Sequence, residues 1–184
     1  VFESTRGMRV GDEAEFEGHM LEVTLGPGML SRNYDGLQND LDKMEGVFLR
    51  RGEYTFPLDN DKLWDFKPLA KVGDKVAAGG WLGEVDENFQ PHKIMVPFTF
   101  KGEYTVKSLK EAGQYTIGEV IAVLTDETGK DVEVTMIQRW PVKRAITCYK
   151  EKPRPYKLLE TGVRTIDTVN PIVEGGTGFI PGPF

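Results

Sequence analysis

Apolar and polar residues alternate along much of this chain with a period of two, and glycine or proline breaks the alternation every few residues. That pattern predicts short, half-buried strands joined by tight turns. The run "MRVGDEAEFEGHMLEVTLG", residues 8–26, alternates around Asp12 and Gly18 and predicts two short strands with a turn between them. "GPG" at 26–28 reads as a sharp bend and Asp35-Gly36 as a second turn. Residues 47–63, "VFLRRGEYTFPLDNDKL", predict a strand followed by a turn, with Pro57 as its stop. The strongest patterning lies at 72–124, where "KVGDKVAAGGWLGEV", "HKIMVPFTFKGEYTV" and "AGQYTIGEVIAVL" are β-prone runs separated by glycine turns. The first and last share a cadence, Val72-Gly73-Asp74 through Gly80-Trp81-Leu82 against Ala112-Gly113-Gln114 through Gly118-Glu119-Val120. Such a quasi-repeat suits a compact β sandwich made from two similar halves. "VEVTMIQRW" at 132–140 continues the alternation as one more strand.

The texture changes at Lys150. "EKPRPYKLL" is a proline-spaced connector, after which Val163, Ile166, Val169 and Ile172 recur every three residues. This predicts a helix with Thr161 as N-cap and Pro171 as its end. "TGFI" at 177–180 is then a short strand running into Pro181-Gly182-Pro183. Helix, strand and glycine loop in that order read as the opening of an α/β nucleotide-binding domain.

Composition narrows the function classes. With 184 residues, 39% of them hydrophobic and 28% charged, the chain is long enough to bury a substantial core. Its net charge of −6 gives no electrostatic reason to expect nucleic acid or an anionic membrane as partner. No apolar run approaches the roughly 18 residues of a membrane span, and "VFESTRGMRVGD" has neither the basic nor the apolar region of a signal peptide. Cys148 is the single cysteine, so no internal disulfide forms. With only His19 and His92 beside it, a His/Cys zinc site is not expected. The 21 glycines and 11 prolines are spread between apolar runs, as turns in a β-rich body require.

Candidate chemistry is sparse. The terminal "TGFIPGPF" resembles the first part of a phosphate-binding loop, G-x-x-x-x-G-K-[ST], in which backbone N–H groups cradle phosphates while lysine and the hydroxyl residue hold the terminal phosphate and Mg²⁺. If Gly182 is its first glycine, the second glycine, the lysine and the hydroxyl residue fall beyond Phe184; a plain turn is the competing reading. Asp59-Asn60-Asp61 opens like a calcium loop, but Trp64 and Ala70 stand where glycine and glutamate are needed, so a turn is expected. Asp12, Glu13, Glu15 and Glu17, and Asp126 with Glu127, read as solvated faces rather than a convergent acid/base pair. Lys93 is the candidate for a carrier lysine, because the glycine-turn halves around it share the layout of biotinyl and lipoyl domains. Its "PHKIMVP" setting, after an extended "DENFQ", matches neither flank of their modified lysine. Trp64 and Arg139-Trp140-Pro141 offer either an aromatic platform for a partner or core tryptophans.

Seven runs in order carry a family resemblance: "LGPGMLSRNYDGLQNDL" from Leu25, "DKLWDF" from Asp61, "KVGDKVAAGG" from Lys71, "HKIMVP" from His92, "AGQYTIGEV" from Ala112, "QRWPV" from Gln138, and "LLETGVRTIDTVNPIVEGGTGFIPGPF" from Leu158. Together they resemble the catalytic A subunit of the V-type and archaeal-type rotary ATPases over nearly the whole chain. The resemblance implies a mainly β fold in three parts. Residues 1–42 would be the second half of an N-terminal β-barrel, and 43–138 an inserted, barrel-sandwich-like bulge that the related B subunit lacks. Residues 139–184 would open a truncated α/β nucleotide-binding domain. It further implies that the chain is an internal piece whose boundary falls inside the P-loop, so that of the nucleotide site only Gly182, Pro183 and Phe184 are present, with no catalytic or metal-binding residue. In the intact subunit ATP and Mg²⁺ would be bound, and hydrolysis or synthesis coupled to H⁺ or Na⁺ transport. The implied partners are non-catalytic B subunits alternating in a hexameric ring and the central and peripheral stalks, on the cytoplasmic side of a membrane, with no nucleic acid and no direct membrane insertion. A carrier domain modified at Lys93 and a free-standing structural adaptor are the alternatives.

Overall fold

A computed structural model of the chain describes residues 6–16, 18–46, 53–149, 151–152, 154–179 and 181–182. The fold is mainly β, as expected: among these residues there are ten strands, all paired antiparallel, and a single six-residue α-helix. No helix is long and apolar enough to cross a membrane among the described residues. Contacts divide the chain into two compact units, Val1–Cys148 and Tyr149–Phe184.

The first unit holds two four-stranded sheets and a two-stranded ribbon. One sheet has the order β5-β4-β2-β7, with β2 at Trp64–Pro68, β4 at Trp81–Glu87, β5 at Gln90–Met95 and β7 at Gly113–Tyr115. The other has the order β3-β6-β8-β9, from Lys75–Val76, Tyr104–Leu109, Ala122–Asp126 and Asp131–Val134. Two apolar cores form against these sheets. Trp64, Phe66, Val85, Ile94, Ile117, Ile121 and Met136 fill the first core, and Leu82, Val96, Val106, Ala122, Leu124 and Val134 the second. Leu109 packs against both. In β4 the two-residue period sends Leu82 to the second core, while Gly83 and Val85 face the first, beside a break in register between Trp81 and Gly83. At Gly83 the Phe66 ring occupies the space a side chain would need: a Cβ there would lie 2.2 Å from Phe66 Cε2.

Three sequence expectations give way here, each for a packing reason. Alternation at 8–16 forms no strand: Val10 and Phe16 are exposed, and without a surface to cover, a period of two does not make a ladder. Only the end of that run pairs, as β1, Glu22–Leu25, against β10, Gln138–Pro141. Residues 53–63 likewise form no strand, although Pro57 sits in the expected bend; residues 47–52 lie outside the described set. The continuous strand expected at 132–140 is two. Val134 enters the second core and Met136 the first, and between them the Thr135 hydroxyl meets both the N–H and the carbonyl of Ile137 and turns the chain into β10.

The second unit is a closed loop. Leu158 bridges Val173, the Leu159 N–H donates to Ile172 O and the Glu174 N–H to Lys157 O, while Lys157 pairs with Glu174 at 2.8 Å. The loop contains the helix α1, Arg164–Val169, inside the expected stretch and ended before Pro171. Its N-cap is Val163, which makes no side-chain cap bond, and not Thr161. The Asp167 carboxylate instead accepts from the N–H and hydroxyl of Thr161 and from the Gly162 N–H. The expected strand at 177–180 has no ladder partner among the described residues 177–179, and Ile180 lies outside them.

Candidate functional site

The residues expected to open a phosphate loop form no cradle among those described. Gly182 is exposed and a Cβ on it would meet nothing within 4 Å; Pro183 and Phe184 lie outside the described residues. A phosphate site needs converging N–H groups and a cation. Gly182, the described member of the three, provides neither by itself. Among the described residues no group of three or more His, Cys, Asp or Glu side chains is placed to hold a metal ion.

The densest polar construction is elsewhere, where the segment 25–43 meets the β4–β5 hairpin. Among the described residues the buried polar side chains are Gln38, Asn39, Asp40 and Glu87, and three of these belong to the "LGPGMLSRNYDGLQNDL" run. Buried polar groups need partners, and each of these side chains has one, although Asp40 Oδ2 has ion-pair contacts and no hydrogen bond. Gln38 straddles Thr24, accepting from its N–H at 2.7 Å and donating to its carbonyl at 2.7 Å. Asn39 accepts from the Thr55 N–H and donates to Asp35, whose carboxylate also takes the N–H groups of Leu37 and Asn39. Asp40, whose N–H donates to the Thr55 hydroxyl, lies 3.5 Å from Arg32 and 3.8 Å from Lys43. Glu87 closes the joint: one oxygen accepts the Gly28 N–H at 2.7 Å and the Leu30 N–H at 3.0 Å, and the other lies 2.6 Å from His92 Nδ1. Gly26 and Pro27 are buried, and a Cβ on Gly26 would lie 2.7 Å from the Ile137 side chain, so only glycine lets the bend seat.

Local electrostatics follow from these bonds. Partial burial pushes the Asp35 carboxyl up, but the Asn39 side chain and the N–H groups of Asn39 and Leu37 more than offset it and hold the group below the ordinary carboxylate range. Desolvation raises the Tyr34 phenol, with Asp40 adding to it, so its hydroxyl stays a donor, to Pro57 O at 2.8 Å. In the second unit, the Thr161 hydroxyl first, then the N–H groups of Thr161 and Gly162, hold Asp167 below its usual range. A carboxyl lowered in the folded state stabilises it above the unfolded pKa and loses that contribution as pH falls through the folded value. Acid titration is therefore expected to release the Thr161 and Gly162 amides below the usual carboxylate range. In ¹H–¹⁵N spectra both signals should move together, and Asp167→Asn should abolish the step.

The remaining candidates have structural roles. Lys93 lies within β5, bonded to Glu84 and 5.0 Å from the centre of the Trp81 ring, and "DENFQ" is not extended but a tight hairpin whose tip is Asn88-Phe89. The arrangement does not favour a carrier lysine. Asp59 accepts from the Asp61 N–H in a plain turn, and Asp126 ties the β8–β9 turn through the N–H groups of Thr128 and Lys130. Trp64 and Trp140 are core residues. Sequence reasoning passed over Glu87. The signal was present, because a period of two in "WLGEVDE" puts residue 87 on the face of Val85.

Comparison with known proteins agrees with this architecture. The ATP synthase alpha/beta subunit barrel-sandwich domain family matches residues 55–143. Over its full length the chain is 48% identical to the V-type ATP synthase alpha chain of Treponema denticola and 48% identical to that of Borreliella burgdorferi. It is 47% identical to the V-type ATP synthase alpha chain 1 of Treponema pallidum. In each case it spans 32% of the relative's length, about a third.

Proposed function

The chain is a homologue of V-type ATP synthase alpha chains along its whole length, and from that premise we propose that it supplies scaffold and assembly surface to the catalytic subunit of a rotary ATP synthase. The intact subunit would bind ATP and Mg²⁺ and couple hydrolysis or synthesis to H⁺ or Na⁺ transport, on the cytoplasmic face of a membrane. The observation that carries this reading is homology covering the whole chain, with the barrel-sandwich domain at its centre. Residues 1–42, 43–138 and 139–184 would be barrel, bulge and the opening of the nucleotide domain. The bulge would face partners such as the peripheral stalk, and the ring would be completed by B subunits.

In this reading Gly182, Pro183 and Phe184 contribute only the first positions of the phosphate loop. Catalysis in such sites consists of positioning and charge stabilisation, so a cradle without its lysine leaves the terminal phosphate unneutralised. The 184-residue polypeptide is therefore expected to show no Mg²⁺-dependent ATP turnover and no calorimetric ATP binding tighter than about millimolar, a standard free energy of about −4 kcal/mol. Measurable turnover by the pure polypeptide would overturn the assignment of these residues to scaffold. Deleting residues 43–138 from the full-length subunit is the complementary experiment: assembly should fail, and normal assembly with coupled transport would remove the bulge from the assembly surface.

A further inference from the structure

The sequence contains a single pair in which aspartate or asparagine precedes glycine, Asp35-Gly36. Such a pair carries its own chemistry. The nitrogen of the second residue attacks the side-chain carboxyl carbon of the first; the new C–N bond closes a succinimide ring, and one carboxyl oxygen leaves as water. Water then opens the ring at either carbonyl. One opening restores aspartate and the other leaves isoaspartate, in which the main chain runs through the side-chain methylene; the mass is unchanged and no oxidant is needed. Glycine favours the attack, because no side chain shields its nitrogen. The carboxyl must turn its carbon toward that nitrogen and must be protonated, since a carboxylate is a poor electrophile.

Packing does not protect this pair: Gly36 is exposed, and a Cβ on it would meet nothing within 4 Å. Hydrogen bonds do. Asp35 Oδ1 accepts the Leu37 N–H at 2.9 Å and the Asn39 N–H at 2.8 Å, while Oδ2 accepts the Asn39 side-chain amide at 2.9 Å. Both oxygens are tied to residues beyond Gly36, including the one that would have to leave. Burial pushes the carboxyl up, but the Asn39 side chain and the two N–H groups outweigh it and keep the group in its ionised, unreactive form. Asn39 is itself fixed, 4% exposed and accepting the Thr55 N–H at 2.9 Å. Around the pair the chain closes as a small hairpin. The Gln38 N–H donates to Asp35 O, the Asp35 N–H to Asn39 O and the Leu41 N–H to Asn33 O, with Tyr34 bridging Asp40. An extra methylene in this turn would break the register that carries Gln38, Asn39 and Asp40 to their buried partners.

We propose that Asp35-Gly36 is a latent isoaspartate site, that Asn39 silences it in the folded chain, and that its conversion unseats the buried polar joint of residues 38–40.

The test ages the full-length subunit at physiological temperature and neutral pH and reads residue 35 by electron-transfer fragmentation of its proteolytic peptide, which separates isoaspartate from aspartate at equal mass. Folded wild type should convert about a hundredfold more slowly than the same protein in urea, and Asn39→Ala, folded by its Tm, about tenfold faster than folded wild type, the factor that one hydrogen bond to a charged group supplies. Adding Gly36→Ala, for which the turn has room, should make Asn39→Ala slow again. Thr55→Val takes the hydroxyl from the Asp40 N–H but leaves all three donors to Asp35, so it should age as wild type does even if it melts earlier. Where Asn39→Ala does not fold, Asn39→Asp takes its place and should convert as fast, because it keeps an acceptor for the Thr55 N–H and lacks the amide donor. In the converted fraction, resolved by ion exchange, the Thr24 and Thr55 amides should exchange at least about tenfold faster, since their acceptors are Gln38 and Asn39. Equal conversion of folded and urea-unfolded wild type overturns the proposal, as does a folded Asn39 variant that converts no faster than wild type. Thr55→Val converting as fast as Asn39→Ala also overturns it, by making the opening of the joint the control. So does unchanged exchange at Thr24 and Thr55 in the converted protein.

Discussion

Gly83→Ala is expected to destabilise the first unit by about 3 kcal/mol, the upper part of the range for forcing extra atoms into a packed core. The reason is local and steric. The new Cβ would stand 2.2 Å from Phe66 Cε2, 2.4 Å from its Cζ and 2.8 Å from Lys67 O, and the last of these is backbone. Phe66 cannot swing aside freely, since it is 1% exposed and packs edge-on against Tyr115 at a centroid distance of 6.3 Å. Strand β2 cannot retreat without breaking its pairing of Lys67 with Glu84 and Pro68 with Gly83. For a unit of this size the fall in Tm should be roughly 6–12 °C, as followed by calorimetry. Phe66→Leu alone leaves a cavity and should also destabilise. In the double variant, however, the two losses should sum to more than the measured total, because removing the ring edge relieves the clash. Strict additivity, or a Tm unmoved by Gly83→Ala, would show that the ring and the strand yield at no cost.

This glycine illustrates where the sequence was legible. The β-rich body between residues 72 and 124 could be read because its alternation is backed by burial on at least one face, which is the condition under which a period of two reports a strand. The same alternation at 8–16 misled because Met8, Val10 and Phe16 cover nothing among the described residues. Between 132 and 140 the pattern looked continuous, since Val134 and Met136 are both inward. Period alone does not say that two inward residues enter different cores, and the Thr135 turn between them carries no glycine or proline signal. In the second unit apolar spacing reveals the helix but not its cap: Thr161 does not cap α1, and Asp167 reaches back to Thr161 instead.

The site divides in the same manner. A glycine-rich loop announces itself in sequence, yet its function depends on residues that converge in space, and of the three predicted positions only Gly182 is described. The buried polar joint gave the opposite problem. "NYDGLQND" reads as ordinary turn composition, because Asn, Asp and Gln are the residues that make turns in solvent. Nothing local says that Gln38, Asn39 and Asp40 are buried; their partners Thr24 and Thr55 lie fourteen to sixteen residues away, and Glu87 is nearly sixty residues from the loop it holds. That run specifies a set of mutual hydrogen bonds that few substitutions would preserve.

Removing the Glu87 carboxylate tests whether that set is held at one point. Glu87→Ala deletes the acceptor of two backbone N–H groups, Gly28 and Leu30, together with the partner of His92, at a residue only 3% exposed. Hydrogen bonds to a charged group contribute about 1.5–3 kcal/mol each, and orphaned donors away from water carry their own desolvation cost. A loss of about 3–5 kcal/mol follows, in line with deleting one member of a buried pair. The loss should be local before it is global. Amide exchange at Gly28 and Leu30 is expected to accelerate at least about thirtyfold, the equivalent of 2 kcal/mol, while the amides of β6 and β8 keep their order of protection. Glu87→Gln separates shape from charge. Its amide oxygen can still accept from both N–H groups and its NH₂ can donate to His92 Nδ1 when that nitrogen is bare, so it should retain more than half of the stability that alanine loses. If glutamine is as damaging as alanine, the joint depends on the carboxylate charge rather than on acceptor geometry. If neither variant changes exchange at residues 28 and 30, the loop is seated by the burial of Gly26 and Pro27 alone, and Glu87 is not the residue that fastens it.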